Sequence, residues 1–175
     1  MPRGTVTLMS EPDANQVREF VVVDKADRDA LIELAKSEGV TATEIDEDDF
    51  VDPATASFIL LGASAAVGTV VYLLEVRKGG QVFDNRPKAP RPEYRSKDIA
   101  YGYVKIVAPD GKVTVEVKEP KGLIGQVIDA VKEVLVETVG KPAQTVGEAV
   151  SSAVEAVAGR ESIDITIEKS PTAID

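Results

Sequence analysis

The residues of this chain best equipped for chemistry are carboxylates, and they crowd between positions 44 and 52: Glu44, Asp46, Glu47, Asp48, Asp49 and Asp52. Such a run offers the hard oxygen ligands that suit Ca²⁺ or Mg²⁺. It lacks the glycine and the spaced terminal Glu of the helix-loop-helix calcium motif. The plainer reading is a solvated loop whose negative charge favours the start of a following helix. Two-carboxylate catalysis draws on the same kind of side chain, but no pair stands apart from the many other acids. Ser96-Lys97 and Lys169-Ser170 place a hydroxyl beside an amine, and adjacency alone does not make a nucleophile and its base. Neither Gly-x-x-x-x-Gly-Lys-Ser/Thr nor Gly-x-Gly-x-x-Gly occurs, so no familiar phosphate-cradling loop is present.

Two residue types are missing altogether. Without Cys there are no disulfides, thiolate nucleophiles, thiolate zinc sites or cysteine-held iron-sulfur clusters. Without His the chain lacks both the side chain that titrates near neutrality and the commonest transition-metal ligand. The expectation is a protein with no catalytic residues, no cofactor and no metal. Its 30 acidic residues outnumber 20 basic ones, for a net charge of −10, which repels a phosphate backbone and disfavours nucleic acid as a partner.

One stretch runs against that charge. Arg86-Pro87-Lys88-Ala89-Pro90-Arg91-Pro92 is basic and proline-containing, which suits a docking peptide in polyproline form, a contact with anionic lipid, or a semi-rigid spacer, the plainest of the three.

The elements that would position these residues follow from periodicity. Thr5 to Met9 reads as a strand, and Phe20 to Val23 reads as a strand in preference to the end of a helix beginning near Asp13. A helix capped by Asp24 or Asp27 runs to about Glu38, with Leu31, Ile32, Leu34 and Ala35 on one face and Gly39 as its stop. Val40 to Ile45 returns as a strand, and Gln81 to Phe83 makes a short one. Tyr101 to Val107 and Val113 to Lys118 alternate around Ala108-Pro109-Asp110-Gly111-Lys112, a hairpin signature. Leu123, Ile124, Val127, Ile128, Val131, Val134 and Leu135 recur at helical spacing, Gly140-Lys141-Pro142 interrupts, and Val146, Val150, Ala153, Val154 and Val157 continue as a second amphipathic helix. Ser162 to Glu168 closes as an alternating strand.

The loudest feature is the absence of any charge from Pro53 to Leu74. Its length matches a membrane span, and the predicted element is one apolar helix over 53–78. It reads as a helix enclosed by protein, because a helix apolar on every side belongs in a core or in lipid. The alternative is a single-pass membrane protein in which helix 55–75 crosses the bilayer and the C-terminal half is cytoplasmic. The N-terminus lacks the apolar core of a secretory signal, which favours a cytoplasmic protein, with the inner membrane as the alternative site.

The expected fold class is α+β: a mixed or antiparallel sheet with a long buried apolar helix, a β-hairpin and a C-terminal amphipathic helix pair. The expected segments are 1–85, a Pro-rich connector at 86–98, and 99–175, forming one compact domain with the first. The expected function is a non-catalytic interaction or assembly module whose partner is another protein or a second copy in a homo-oligomer. The small residues Gly62, Ala66 and Gly68 and the helix positions Val127, Val131, Val134, Val150 and Val154 are the candidates for that contact.

Thr5-Val6-Thr7-Leu8, the helix Leu61-Gly62-Ala63-Ser64-Ala65-Ala66-Val67-Gly68 with its exit Arg77-Lys78-Gly79-Gly80, and the hairpin from Val104 to Val115 share an order and texture with a known family. In these features the chain resembles the effector-associated constant component modules of bacterial conflict systems, over about two-thirds of its length. The resemblance implies a non-catalytic module that couples an effector to its partners. No effector domain is attached here, and the helices from Leu123 to Ala158 are additional.

Overall fold

The central strand of the first sheet is the nine-residue uncharged run Thr55–Ala63, paired along both edges. In a computed structural model that describes residues 15–45 and 54–170, the chain divides into two compact units, Met1–Leu74 and Glu75–Asp175.

In the first unit, β1 (Gln16–Asp24) leads through a single 3-10 turn to α1 (Arg28–Ser37), and β2 (Thr41–Ile45) follows. β3 (Thr55–Ala63) then runs directly into α2 (Ser64–Arg77), whose last turn crosses into the second unit. The strand order is β1-β3-β2, with both outer strands antiparallel to β3. Val23, Leu31, Ala35, Val40, Phe58, Leu60, Val67, Val70 and Leu74 are among its core residues. Gly39 takes a φ of 70°, as its role in stopping α1 requires. The strand expected at Thr5 to Met9 lies outside the described residues.

The helix expected over 53–78 is corrected. Residues 55–63 are a strand, the helix begins at Ser64, and Pro53 lies outside the described residues. A central strand with apolar neighbours on both faces loses the alternation that distinguishes strand from buried helix. Since no polar loop separates β3 from α2, the two elements read as one uncharged span. α2 also buries one stripe, Val67, Val70 and Leu74, while Ala65 and Gly68 are exposed. Among the described residues no helix is long and apolar enough to cross a membrane, which removes the span at 55–75.

The second unit holds β4 (Gly80–Asp84), β5 (Glu93–Ser96), β6 (Tyr103–Ala108), β7 (Gly111–Val117), α3 (Ile124–Thr138), α4 (Ala143–Ala158) and β8 (Ile163–Lys169). The strand order is β5-β4-β6-β7-β8, antiparallel throughout except for the parallel pair β4 and β6. One face alternates Val104, Ile106, Val113, Val115 and Val117 inward against Val127, Val131 and Leu135 of α3 and Val146, Val150 and Val154 of α4. The other face is polar, with Lys112 paired to Glu168 at 2.9 Å across β7 and β8. The whole is α+β with antiparallel and mixed sheets, as composition and periodicity indicate.

The hairpin is tighter than its sequence suggests. Ala108 pairs with Gly111, so only Pro109 and Asp110 form the turn. Asp110 then reaches outward: its Oδ1 accepts the backbone N–H of Ala143 at 2.6 Å, capping α4 from 33 residues away. The 86–98 connector is only partly irregular, because Glu93–Ser96 joins the sheet as an edge strand, the position where a preceding proline is tolerated.

Candidate functional site

A loop of eight residues between β4 and β5 builds a concave surface on the second unit. Asp84 and Glu93 close its base, where the N–H of Asp84 donates to the carbonyl of Pro92 at 2.9 Å. Asn85 ties it to its neighbours. Its N–H donates to Val107 at 2.8 Å, its carbonyl accepts from Gly140 at 2.9 Å, and its side-chain amide donates to the carbonyl of Thr138 at 2.8 Å. Pro87 packs on Gly140, where an added Cβ would come within 3.1 Å of the proline ring.

The result is a groove of about 480 Å³, within the range of small-ligand and side-chain pockets. Phe83, Ala89, Pro92, Leu135, Val136 and Val139 supply its apolar surface. Val136 is 79% exposed and Val139 58%, two aliphatic side chains left in water beside this concavity. The rim is charged. Arg86 grips Asp84 through Nε at 2.8 Å and Nη2 at 2.6 Å, and this guanidinium holds the Asp84 carboxyl below the usual carboxylate range. Lys132 of α3 pairs with Glu93 of β5 at 2.8 Å.

Lys88 differs from these. The N–H of Ala89 donates to the carbonyl of Arg86 at 3.3 Å, with Pro87 second and Lys88 third in the turn. Proline in the second place and a positive φ in the third mark a type II turn, where glycine or asparagine is the ordinary third residue. Lys88 instead takes a φ of 60°, the only non-glycine among the described residues with a positive value. It has no carboxylate partner among the described residues.

The structure places the residues singled out from sequence mostly inside. Val127, Val131, Val150 and Val154 are fully buried in the core between α3, α4 and the sheet, and Val134 packs on its margin. They hold the unit together and are not available to a partner in this state. Gly62 is buried in β3, where a Cβ would come within 3.2 Å of Val40, and Ala66 packs against the first unit's core. Gly68 alone is open: it lies on the exposed face of α2, where an added Cβ would meet nothing within 4 Å.

Of the acidic run, Glu44 is described, and it is committed to Arg28 through bonds of 2.6 and 2.9 Å. That contact lowers the Glu44 carboxyl below its ordinary range. Asp46, Glu47, Asp48, Asp49 and Asp52 lie outside the described residues. Among the described residues no three acidic side chains converge as a metal site would need. Ser96 Oγ accepts the N–H of Asp98 at 3.3 Å, a local turn contact.

Periodicity reasoning passes over Val136 and Val139, which fall off the stripe formed by Val127, Val131 and Leu135. An aliphatic residue where a helix should be polar is the available signal. A second apolar surface lies on the open face of the first sheet, where Phe20 (53% exposed) pairs with Ile59 and Leu61 (45%) pairs with Arg18.

No protein-family model, curated protein or solved structure matches the chain.

Proposed function

We propose that this protein is a non-catalytic interaction module that engages a protein partner through the groove between the 85–92 loop and the C-terminal half of α3. The observation that carries this reading is the exposure of Val136 and Val139 beside a concavity whose loop is fastened by Asn85. A large aliphatic group left in water at the edge of a built pocket gains free energy when another apolar surface covers it. The charged rim supplies register, since both ion pairs sit at the margin and leave the floor apolar.

The test is site-specific photo-crosslinking. A benzophenone side chain at Val136 in the full chain, expressed in the native host, should give a discrete protein adduct. The same group at Lys118, exposed just beyond the end of β7, should not. The partner so identified should bind the purified chain and lose that binding with Val139→Asp. Absence of any adduct specific to position 136 would sink the reading.

A further inference from the structure

The groove is better matched to one kind of partner than to others. The first unit carries 14 Asp and Glu against five Lys and Arg, whereas the stretch from Arg86 to Lys97 carries Arg86, Lys88, Arg91, Arg95 and Lys97 against Glu93 alone. The groove therefore sits in the one strongly basic segment of an acidic protein. Its own carboxylates are already used, Asp84 by Arg86 and Glu93 by Lys132. Arg91 lies 5.3 Å from the centre of the Tyr94 ring, a cation held over an aromatic face at the same end of β5.

Lys88 is the second observation. A lysine in left-handed backbone costs stability that a glycine at the same place would not, and such positions persist where the surrounding structure enforces them. The turn thus holds, at the mouth of an apolar groove, an ammonium with no carboxylate partner among the described residues. We infer that this groove is a recognition site for an acidic peptide segment of a protein partner, with one apolar side chain inserted against Phe83, Leu135 and Val136 and a flanking carboxylate paired to Lys88. This rests on the groove being the interaction site.

The two ideas separate experimentally. The probes are three fluorescein-labelled decapeptides measured by anisotropy against the full chain: one with a central Phe-Val flanked by aspartates, the same with asparagines, and the acidic one with Ala-Ala at its centre. The acidic Phe-Val peptide should bind at least tenfold more tightly than either of the others. Its affinity should fall several-fold between about 0.05 and 0.5 M salt, as screening of an exposed contact requires. Lys88→Glu should weaken it at least tenfold and Val136→Asp should abolish it, with far-ultraviolet dichroism and thermal midpoints confirming that both variants fold. Lys88→Gly, which relieves the backbone, should fold at least as stably yet bind less well.

Equal binding of the asparagine peptide, lost with Val136→Asp, would overturn the acidic preference and leave the groove as the docking site. No binding of any peptide would overturn this inference, and the crosslinking result then decides the groove separately. A two-chain mass in ultracentrifugation that reverts to one chain with Val136→Asp, without peptide binding, would replace the acidic partner with a second copy and overturn the inference too.

Discussion

The side-chain amide of Asn85 donates to the main-chain carbonyl of Thr138 at 2.8 Å, joining the exit of β4 to the last turn of α3 across 53 positions. Helix ends leave carbonyls without intrahelical partners, and here the Thr138 carbonyl accepts both this distant amide and the N–H of Lys141 at 3.0 Å. Asn85→Ala removes one of the two donors to that carbonyl and should cost about 0.5–1.5 kcal/mol. A shift in the urea midpoint at unchanged slope would measure it; an unshifted midpoint would show that the bond adds nothing.

Asp84 and Arg86 make the second prediction. The carboxyl is held below its ordinary range by the guanidinium, so its folded pKa is depressed. The stabilisation is therefore fully present above the ordinary carboxylate pKa and is lost as pH falls through the depressed folded value. Arg86→Gln should raise the titration midpoint of Asp84, read from its carboxyl carbon by NMR. A midpoint that does not move would mean that Arg86 is not its cause.

Gly111 supplies the third. It pairs with Lys169 across β7 and β8, and a Cβ there would collide with the carbonyl oxygen of Glu168. Backbone cannot yield as a side-chain tip does. Gly111→Ala should cost about 1–3 kcal/mol, with hydrogen exchange accelerating first in β8. Wild-type protection of β8 would contradict the geometry.

Gly68 predicts the opposite sign. Its place in α2 is helical and open, so Gly68→Ala should stabilise by about 0.5–1 kcal/mol. Calorimetry gives the change, and ultracentrifugation gives the mass. If the substitution instead lowered the mass, Gly68 would belong to a contact between copies.

Much of this fold can be read from residue order. The hairpin around Pro109 and Asp110, the stripe from Val127 to Leu135 and the terminal strand at Ile163–Lys169 all show the period of the element they form, because each has one wet and one dry face. β3 does not, since Phe58 and Leu60 face the core while Ile59 and Leu61 form the other face, and both rows are apolar. The groove is harder still. Asn85, Lys88, Val136 and Val139 meet only through a loop and a helix end remote in sequence, and no local pattern encodes that meeting. The valines that periodicity marks for a partner prove to be the core, since the spacing that defines a binding face also defines a packed one.

The five-stranded sheet ends on β5 at one side and β8 at the other. β5 is four residues long, follows Pro92 and carries Glu93 and Arg95, while β8 sets Asp164, Glu168 and Lys169 along its length. A neighbouring molecule seeking to extend the sheet would gain few ladder bonds at the first edge and meet ionised side chains at both. The shortness of β5 and the charges on both edges thus disfavour growth of this sheet by addition of a further strand.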